Sequence, residues 1–244
     1  MATLRKIAVR LVVWSTRLVV AALLLSVLQV VALRWVNPPM TWTMVESGWE
    51  RGAMPQQRWL DMDALGREVP RAAVAAEDGW FWHHHGFDLG AIEAAVEHNA
   101  ESKKVKGAST ISQQVARNVF LWQGRTWVRK GLEAWYTVLM EALVPKARIL
   151  EVYLNVAETG PNTFGMEAGA RHWFGRSAKA LTPEESARLV GILPSPNKWG
   201  IRGDVVNKRV PVILEHKVPF PGERGFADMA KRAPKSVGWR VWFD

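Results

Sequence analysis

Charged residues almost vanish between Leu18 and Leu33, and reading back to Leu11 extends the apolar run, interrupted by Arg17 and a few neutral polar positions. About twenty apolar residues in a helix cross the roughly 30 Å hydrocarbon core of a bilayer. Arg5, Lys6, Arg10 and Arg17 precede this run or lie in its first half. Positive charge on that flank predicts a cytoplasmic N-terminus. Val30-Val31-Ala32 would serve as a signal-peptide cleavage site, but the apolar segment is long for one. An uncleaved anchor over residues 1–34 is expected, with the remainder outside the inner membrane.

Further along, the pattern takes on a helical period. Residues 35–69, with Pro38-Pro39, Gly48, Gly52 and Pro55, read as an extended connector with room for a short hairpin. Asp88 can cap a helix bearing Leu89, Ile92 and Val96 on one face. Residues 129–143 form another, striped by Leu132, Trp135 and Leu139. Pro145 opens a third that runs through Ile149, Leu150 and Tyr153 toward Asn155, since proline is tolerated at a helix start. Thr182-Pro183-Glu184-Glu185 is a capping box leading into Ala187 to Leu193. Strand-like alternation is scarce between Pro70 and Leu193, so the fold class expected is mainly α. Residues 201–244 hold Pro211, Pro219, Pro221 and Pro234 with little periodicity, which predicts a divergent, poorly ordered tail.

At 244 residues the chain can form one sizeable domain plus an appendage. A net charge of +9 and a pI near 10.1 call for an anionic partner, and nucleic acid, anionic lipid and pyrophosphate all qualify. The absence of cysteine excludes disulfides and thiolate metal sites. The 14 tryptophans suit a membrane–water interface or a large core equally. Between Val119 and Trp127, aromatic and basic residues interleave. That fits a packed loop between helices, or a lobe resting in lipid headgroups.

Chemistry concentrates in two blocks. Glu77-Asp78 follows an apolar run from Ala72 to Ala76, and a carboxylate with an apolar surround loses solvation, so its pKa rises toward general-base range. Gly107-Ala108-Ser109-Thr110-Ile111-Ser112-Gln113-Gln114 reads as a helix start, with Thr110 as N-cap and Gln113 at capping-box spacing. Free N–H groups and a positive dipole end there would favour an anion. Arg129 and Glu133 share a helix face at i and i+4, and Lys130 and Glu133 are i,i+3 neighbours, which fits a surface ion-pair cluster or a charge array beside a diphosphate. His83, His84 and His85 are consecutive and cannot converge on one ion without distorting the backbone, so no zinc site is expected. Gly107-Ala-Ser109 lacks the second glycine of a nucleophile elbow. Ser195-Pro-Asn-Lys198 lies between prolines with no Lys-Thr-Gly after it, so acyl transfer is not expected.

In order, the chain carries Glu-Asp-x-x-Phe-x-x-His-x-Gly, Gly-x-Ser-Thr-Ile-x-Gln-Gln-x-x-Arg-Asn, Arg129-Lys130-x-x-Glu133, and Ile149-Leu150-Glu151-x-Tyr153-Leu154-Asn155. From about Pro70 to Pro196, roughly half its length, it resembles the family 51 peptidoglycan glycosyltransferases, and among them the monofunctional biosynthetic transglycosylases. The resemblance implies a lysozyme-like glycosyltransferase domain over residues 70–200 with a small membrane-facing lobe. It implies that lipid II is polymerised into β-1,4 glycan with inversion, without transpeptidase activity, and that lipid II and the nascent strand are the partners. It makes Glu77 the base and Glu133 the second catalytic carboxylate, with Arg129 and Lys130 on the diphosphate. Ser109, Thr110, Gln113, Gln114, Arg117, Asn118, Arg125 and Asn155 would line the groove. Asp78 is then a supporting or metal-associated group, and His84 a buttress of the Glu77 loop counted with the groove. A divalent cation, Mg²⁺ or Mn²⁺, is expected to assist. Arg117 stands where the family usually has Lys. Beyond Pro196 the resemblance fails, for relatives would continue with an Arg-rich helix.

Overall fold

The computed structural model describes residues 2–101 and 107–232. Its helices begin with α1 (Ala2–Leu33) and α2 (Trp42–Arg51), followed by strand β1 (Gln56–Gln57). Then come α3 (Glu68–Glu77), α4 (Leu89–Glu101), α5 (Ile111–Phe120), α6 (Trp127–Leu143) and α7 (Lys146–Val156). Strands β2 (Glu158–Gly160) and β3 (Thr163–Phe164) precede α8 (Met166–Phe174), α9 (Pro183–Gly191), α10 (Asp204–Glu215) and α11 (Phe226–Arg232). The chain is mainly helical, as the periodicity predicts.

Helix α1 is apolar and long enough over Arg5–Leu33 to cross a membrane, and most of that length is exposed. Its last two turns are different. Val30 and Leu33 are buried, the Trp135 indole donates to Ser26 Oγ at 3.0 Å, and the Tyr136 hydroxyl donates to Gln29 Oε1 at 2.8 Å. The Arg148 guanidinium donates to the Leu33 and Val36 carbonyls at 3.0 and 3.1 Å, satisfying acceptors at and beyond the helix end.

Residues 35–69 are more than an extended connector. Thr41 caps α2 by accepting from the Met44 amide, and Gly52, at φ 60°, closes it. Met44 and Ser47 face inward from α2, which packs on α5. Strand β1 then pairs in parallel with β3, which pairs antiparallel with β2, giving the order β1-β3-β2.

The core is built around α7. Ile149, Leu150, Val152, Tyr153, Leu154, Asn155 and Val156 are all buried, so this helix is covered on every side rather than on one stripe. Helix α5 packs on both α6 and α7, while α9 packs on α3. In α4, Asp88 Oδ1 accepts from the Ala91 amide at 2.9 Å, as a cap should. The expected α4 stripe, however, is left open: Leu89 and Val96 are exposed and Ala95 is the buried residue.

The tail differs most from expectation. Residues 204–215 form α10 with Pro211 inside it, and Val206, Val210 and Ile213 bury themselves against α9 and α3. An interior proline costs a helix about 3 kcal/mol, and burial of three apolar side chains at i, i+4 and i+7 outweighs it. Residues 233–244 of that tail lie outside the described residues.

Candidate active site

Glu77 is the last residue of α3, and Asp78 leaves the helix with φ −161° and ψ 73°. This break sends adjacent carboxylates in different directions. Asp78 turns inward: both its oxygens lie 2.9 Å from His84 Nε2, and Oδ2 also accepts from the Ile111 amide at 2.9 Å. His84 Nδ1 accepts from the Gly86 amide at 3.0 Å, which leaves the ring hydrogen on Nε2, pointing at Asp78. Gly86 has φ 90°, and a Cβ there would come within 2.6 Å of Thr137 Cγ2, so only glycine lets the loop lie this close to α6.

The helix start that promised an anion site therefore already holds one. Asp78 occupies the first amide of α5, Thr110 Oγ1 accepts from the Gln113 amide at 3.3 Å, and Gln113 Oε1 accepts from the Thr110 amide at 3.1 Å. Thr110 also donates to the Gly86 carbonyl at 2.7 Å. Asp78, His84, Thr110 and Gln113 are all buried, and their polar atoms join the end of α3, the histidine loop and α5. Asn155 is fully buried too, exchanging hydrogen bonds with Leu60 and donating to the Glu151 carbonyl, so it fastens the approach to α3. These five residues build the site from behind. Ser109 is exposed at its edge.

Glu77 turns the other way, with 12% of its side chain exposed. Gln114 donates to its Oε2 at 3.3 Å and Arg209 of α10 to its Oε1 at 3.2 Å. Burial raises its pKa above the usual carboxylate range; Arg209, the Gln114 hydrogen bond and Arg117 oppose that rise, and Asp78 adds to it. Beneath it Tyr153 is buried, its hydroxyl 3.4 Å from Gln114 Oε1, and burial foremost, then Glu77, lifts its pKa well above normal.

The buried stripe of α6 is polar. Arg129, Glu133, Thr137 and Met140 face inward, whereas Leu132 and Trp135 of the expected stripe are exposed, Trp135 lying against α1. Glu133 has 3% of its side chain exposed; Arg129 Nη1 donates to its Oε2 at 2.6 Å and Lys130 Nζ to its Oε1. Lys130 is 44% exposed and presents the charge of this group outward. Burial lowers the Arg117 pKa first of all, while Glu133 and Glu77 both act to keep it charged. Its Nε donates to Asn118 Oδ1 at 3.4 Å. Arg125 is exposed in the turn before α6.

A family model described as Transglycosylase matches residues 46–217. Over 207 residues the chain is 53% identical to a biosynthetic peptidoglycan transglycosylase of Xanthomonas campestris, covering 80% of this chain and 84% of that one. It is 51% identical over 205 residues to the protein of that name from Pseudomonas aeruginosa, with 81% and 88% covered. For that of Shewanella oneidensis the identity is 44% over 200 residues, with 79% and 84% covered. The chain belongs to the transglycosylase family.

The match begins inside α2 and ends just after α10, so the helix of the connector and the helix of the tail are both parts of the transglycosylase domain. The residue that sequence reading missed is Arg209. Its signal was the spacing of Val206, Val210 and Ile213, which places Arg209 on a packed helix, but Pro211 masked it. A buried network behind the site was missed as well. Lys146 donates to Glu141 Oε1 at 2.8 Å, lies 3.5 Å from His84 Nδ1 and sits 4.3 Å over the Phe81 ring. Burial lowers the Lys146 pKa and Glu141 opposes the fall.

The carboxylates of this transglycosylase form no ready-made cage for a divalent ion among the described residues. No group of three or more His, Cys, Asp or Glu side chains converges among the described residues. Both Glu133 oxygens face cations, Glu77 meets Arg209, and Asp78 is spent on His84 and Ile111. The site offers an anion positive charge instead. A cavity of about 620 Å³ lies on the far side of α3, lined by Arg71, Ala75 and His216, and includes neither glutamate.

Proposed function

We propose that this transglycosylase polymerises lipid II, the lipid-linked disaccharide-peptide, into β-1,4 glycan, with Glu77 as general base. The observation that carries the reading is a largely buried carboxylate with a raised pKa, held by Gln114 and Arg209, together with a second carboxylate paired with Arg129 and Lys130. Glu77 takes the proton from the acceptor 4-hydroxyl as that oxygen attacks the anomeric carbon of the growing strand. The C1–O bond to phosphate breaks on the opposite face, configuration inverts, and the polyprenyl diphosphate leaves with the electron pair. A diphosphate leaving group needs charge neutralisation rather than a proton. Lys130, Arg129 and Arg117 supply it, with Glu133 holding Arg129 and Lys130 in register. Gln114 and Arg209 orient the base, and Ser109, Asn118 and Arg125 border the sugar-phosphate path.

On this reading α1 anchors the enzyme in the inner membrane with the catalytic domain on the periplasmic side, supported by Arg5, Lys6, Arg10 and Arg17 at its N-terminal end. Trp49 and Trp127, both almost fully exposed, suit the headgroup layer. The turn at Ser195 and Lys198 does not open a helix, so a transpeptidase serine has no support. Purified enzyme incubated with lipid II and, separately, with finished sacculi tests the proposal. Polymer from lipid II and no release from sacculi is the expected result; soluble fragments from sacculi would make the protein a hydrolase.

A further inference from the structure

The catalytic loop has two sides. On one, Asp78 and His84 tie it to α5 and Gly86 presses on α6. The other side is covered by residues 216–232, nearly all of which lie past the end of the matched transglycosylase domain at residue 217. His216 Nδ1 is 3.0 Å from the Ala75 carbonyl in the last turn of α3, a helix-end acceptor that needs a donor. The same imidazole lies close against Gly79, where a Cβ would stand 2.7 Å from its Cε1. Phe220 meets Trp82 edge-on at 5.1 Å between ring centroids, and Phe226 stacks obliquely on His83 at 4.8 Å. Arg71 of α3 pairs with Glu223 and lies 5.9 Å over the Phe220 ring, while the Phe220 amide donates to Glu223 Oε2 at 3.0 Å.

Each contact lands within six residues of Glu77. The aromatic contacts fall on Trp82 and His83, two loop residues outside the Asp78–His84 hydrogen bonds. We propose that His216, Phe220 and Phe226 are positioning residues, forming a brace that starts at the end of the matched domain and continues past it, and that fixes the end of α3 and hence the direction of the Glu77 carboxylate. A carboxylate displaced by about 1 Å can cost up to 10²-fold in turnover, so a brace of this kind acts on kcat and leaves substrate affinity alone. The inference rests on Glu77 being the base.

The test compares full-length enzyme with Phe220→Ala/Phe226→Ala, His216→Ala and His216→Asn, the last keeping a donor where Nδ1 stands. Polymerisation of lipid II should fall about tenfold in kcat at unchanged KM in the double variant and in His216→Ala, with His216→Asn restoring most of it. Hydrogen exchange, which needs no activity, should quicken at the Phe81, His83 and His84 amides while α7 and α9 keep their protection. Unchanged kcat, unchanged loop exchange, exchange that rises equally in α7 and α9, or His216→Asn as impaired as His216→Ala would each overturn the brace. A wild-type enzyme that makes no polymer, beside the expected loop exchange, would count against the proposed reaction instead.

Discussion

Glu77→Gln should pull activity and stability in opposite directions. The amide keeps the shape of the carboxyl, and its single oxygen can still accept from Arg209, but its NH2 faces the Gln114 donor and it cannot take a proton. General-base catalysis is worth about 10²–10⁴ in rate, or about 3–5.5 kcal/mol of barrier at ~1.4 kcal/mol per decade. For stability, burial is the largest influence on Glu77 and raises its pKa, against the pull of Arg209, Gln114 and Arg117. A carboxyl whose folded pKa exceeds its unfolded value binds more protons when folded, between those two values. Stability therefore falls as pH rises from the ordinary value of 4.5 through the folded value, and stays lowered above it. Glutamine carries no such penalty. At pH 7 the variant should turn over lipid II at about 10⁻²–10⁻⁴ of the wild-type rate and melt at a higher temperature, the melting difference shrinking as pH falls through the folded pKa toward 4.5. Single-turnover polymerisation and calorimetry across pH measure both. A variant within a few-fold of wild-type rate would refute the assignment. So would an inactive variant that melts lower at every pH, since unfolding would then account for the loss.

Three further outcomes follow from the site. Arg209→Gln removes the largest influence holding the Glu77 pKa down, so the acid limb of the kcat/KM profile should move to higher pH; an unmoved limb would separate α10 from catalysis. Glu133→Gln leaves Arg129 buried beside a neutral partner and should cost about 3–5 kcal/mol in urea unfolding, the usual loss on breaking a buried pair; a fully stable variant would mean that Arg129 is paired elsewhere. Truncation after Gly200 strips Val206, Val210 and Ile213 from the core and should cost on the order of 5 kcal/mol, so a truncated chain as stable as the parent would mean α10 packs loosely.

Local signals were legible in the sequence. Thr110 with Gln113 and Thr182 with Glu185 form the capping boxes their spacing predicts, because caps are made within four residues. What spacing alone hid was set by distant partners. The anion at the start of α5 is Asp78, 33 residues back, and the cation on Glu77 is Arg209, 132 residues ahead. Helix α6 misled for another reason. Its apolar stripe reads as the core face, yet the buried face is Arg129, Glu133 and Thr137, because the site lies inside the domain and Trp135 meets α1. Pro211 hid α10 by a rule about isolated helices that packing on α9 overrides.

The docking of α1 makes the anchor a strut rather than a leash. At about 1.5 Å per residue its 32 residues measure roughly 48 Å, against roughly 30 Å of hydrocarbon core. The final turns, from Ser26 to Leu33, are bolted to α6 and α7 with no slack between them and the domain. With α1 in a bilayer, tilt of the helix is tilt of the whole enzyme. On the proposed reading, a thinner or thicker bilayer that tips the strut would raise or lower Glu77 relative to a diphosphate held at the lipid surface.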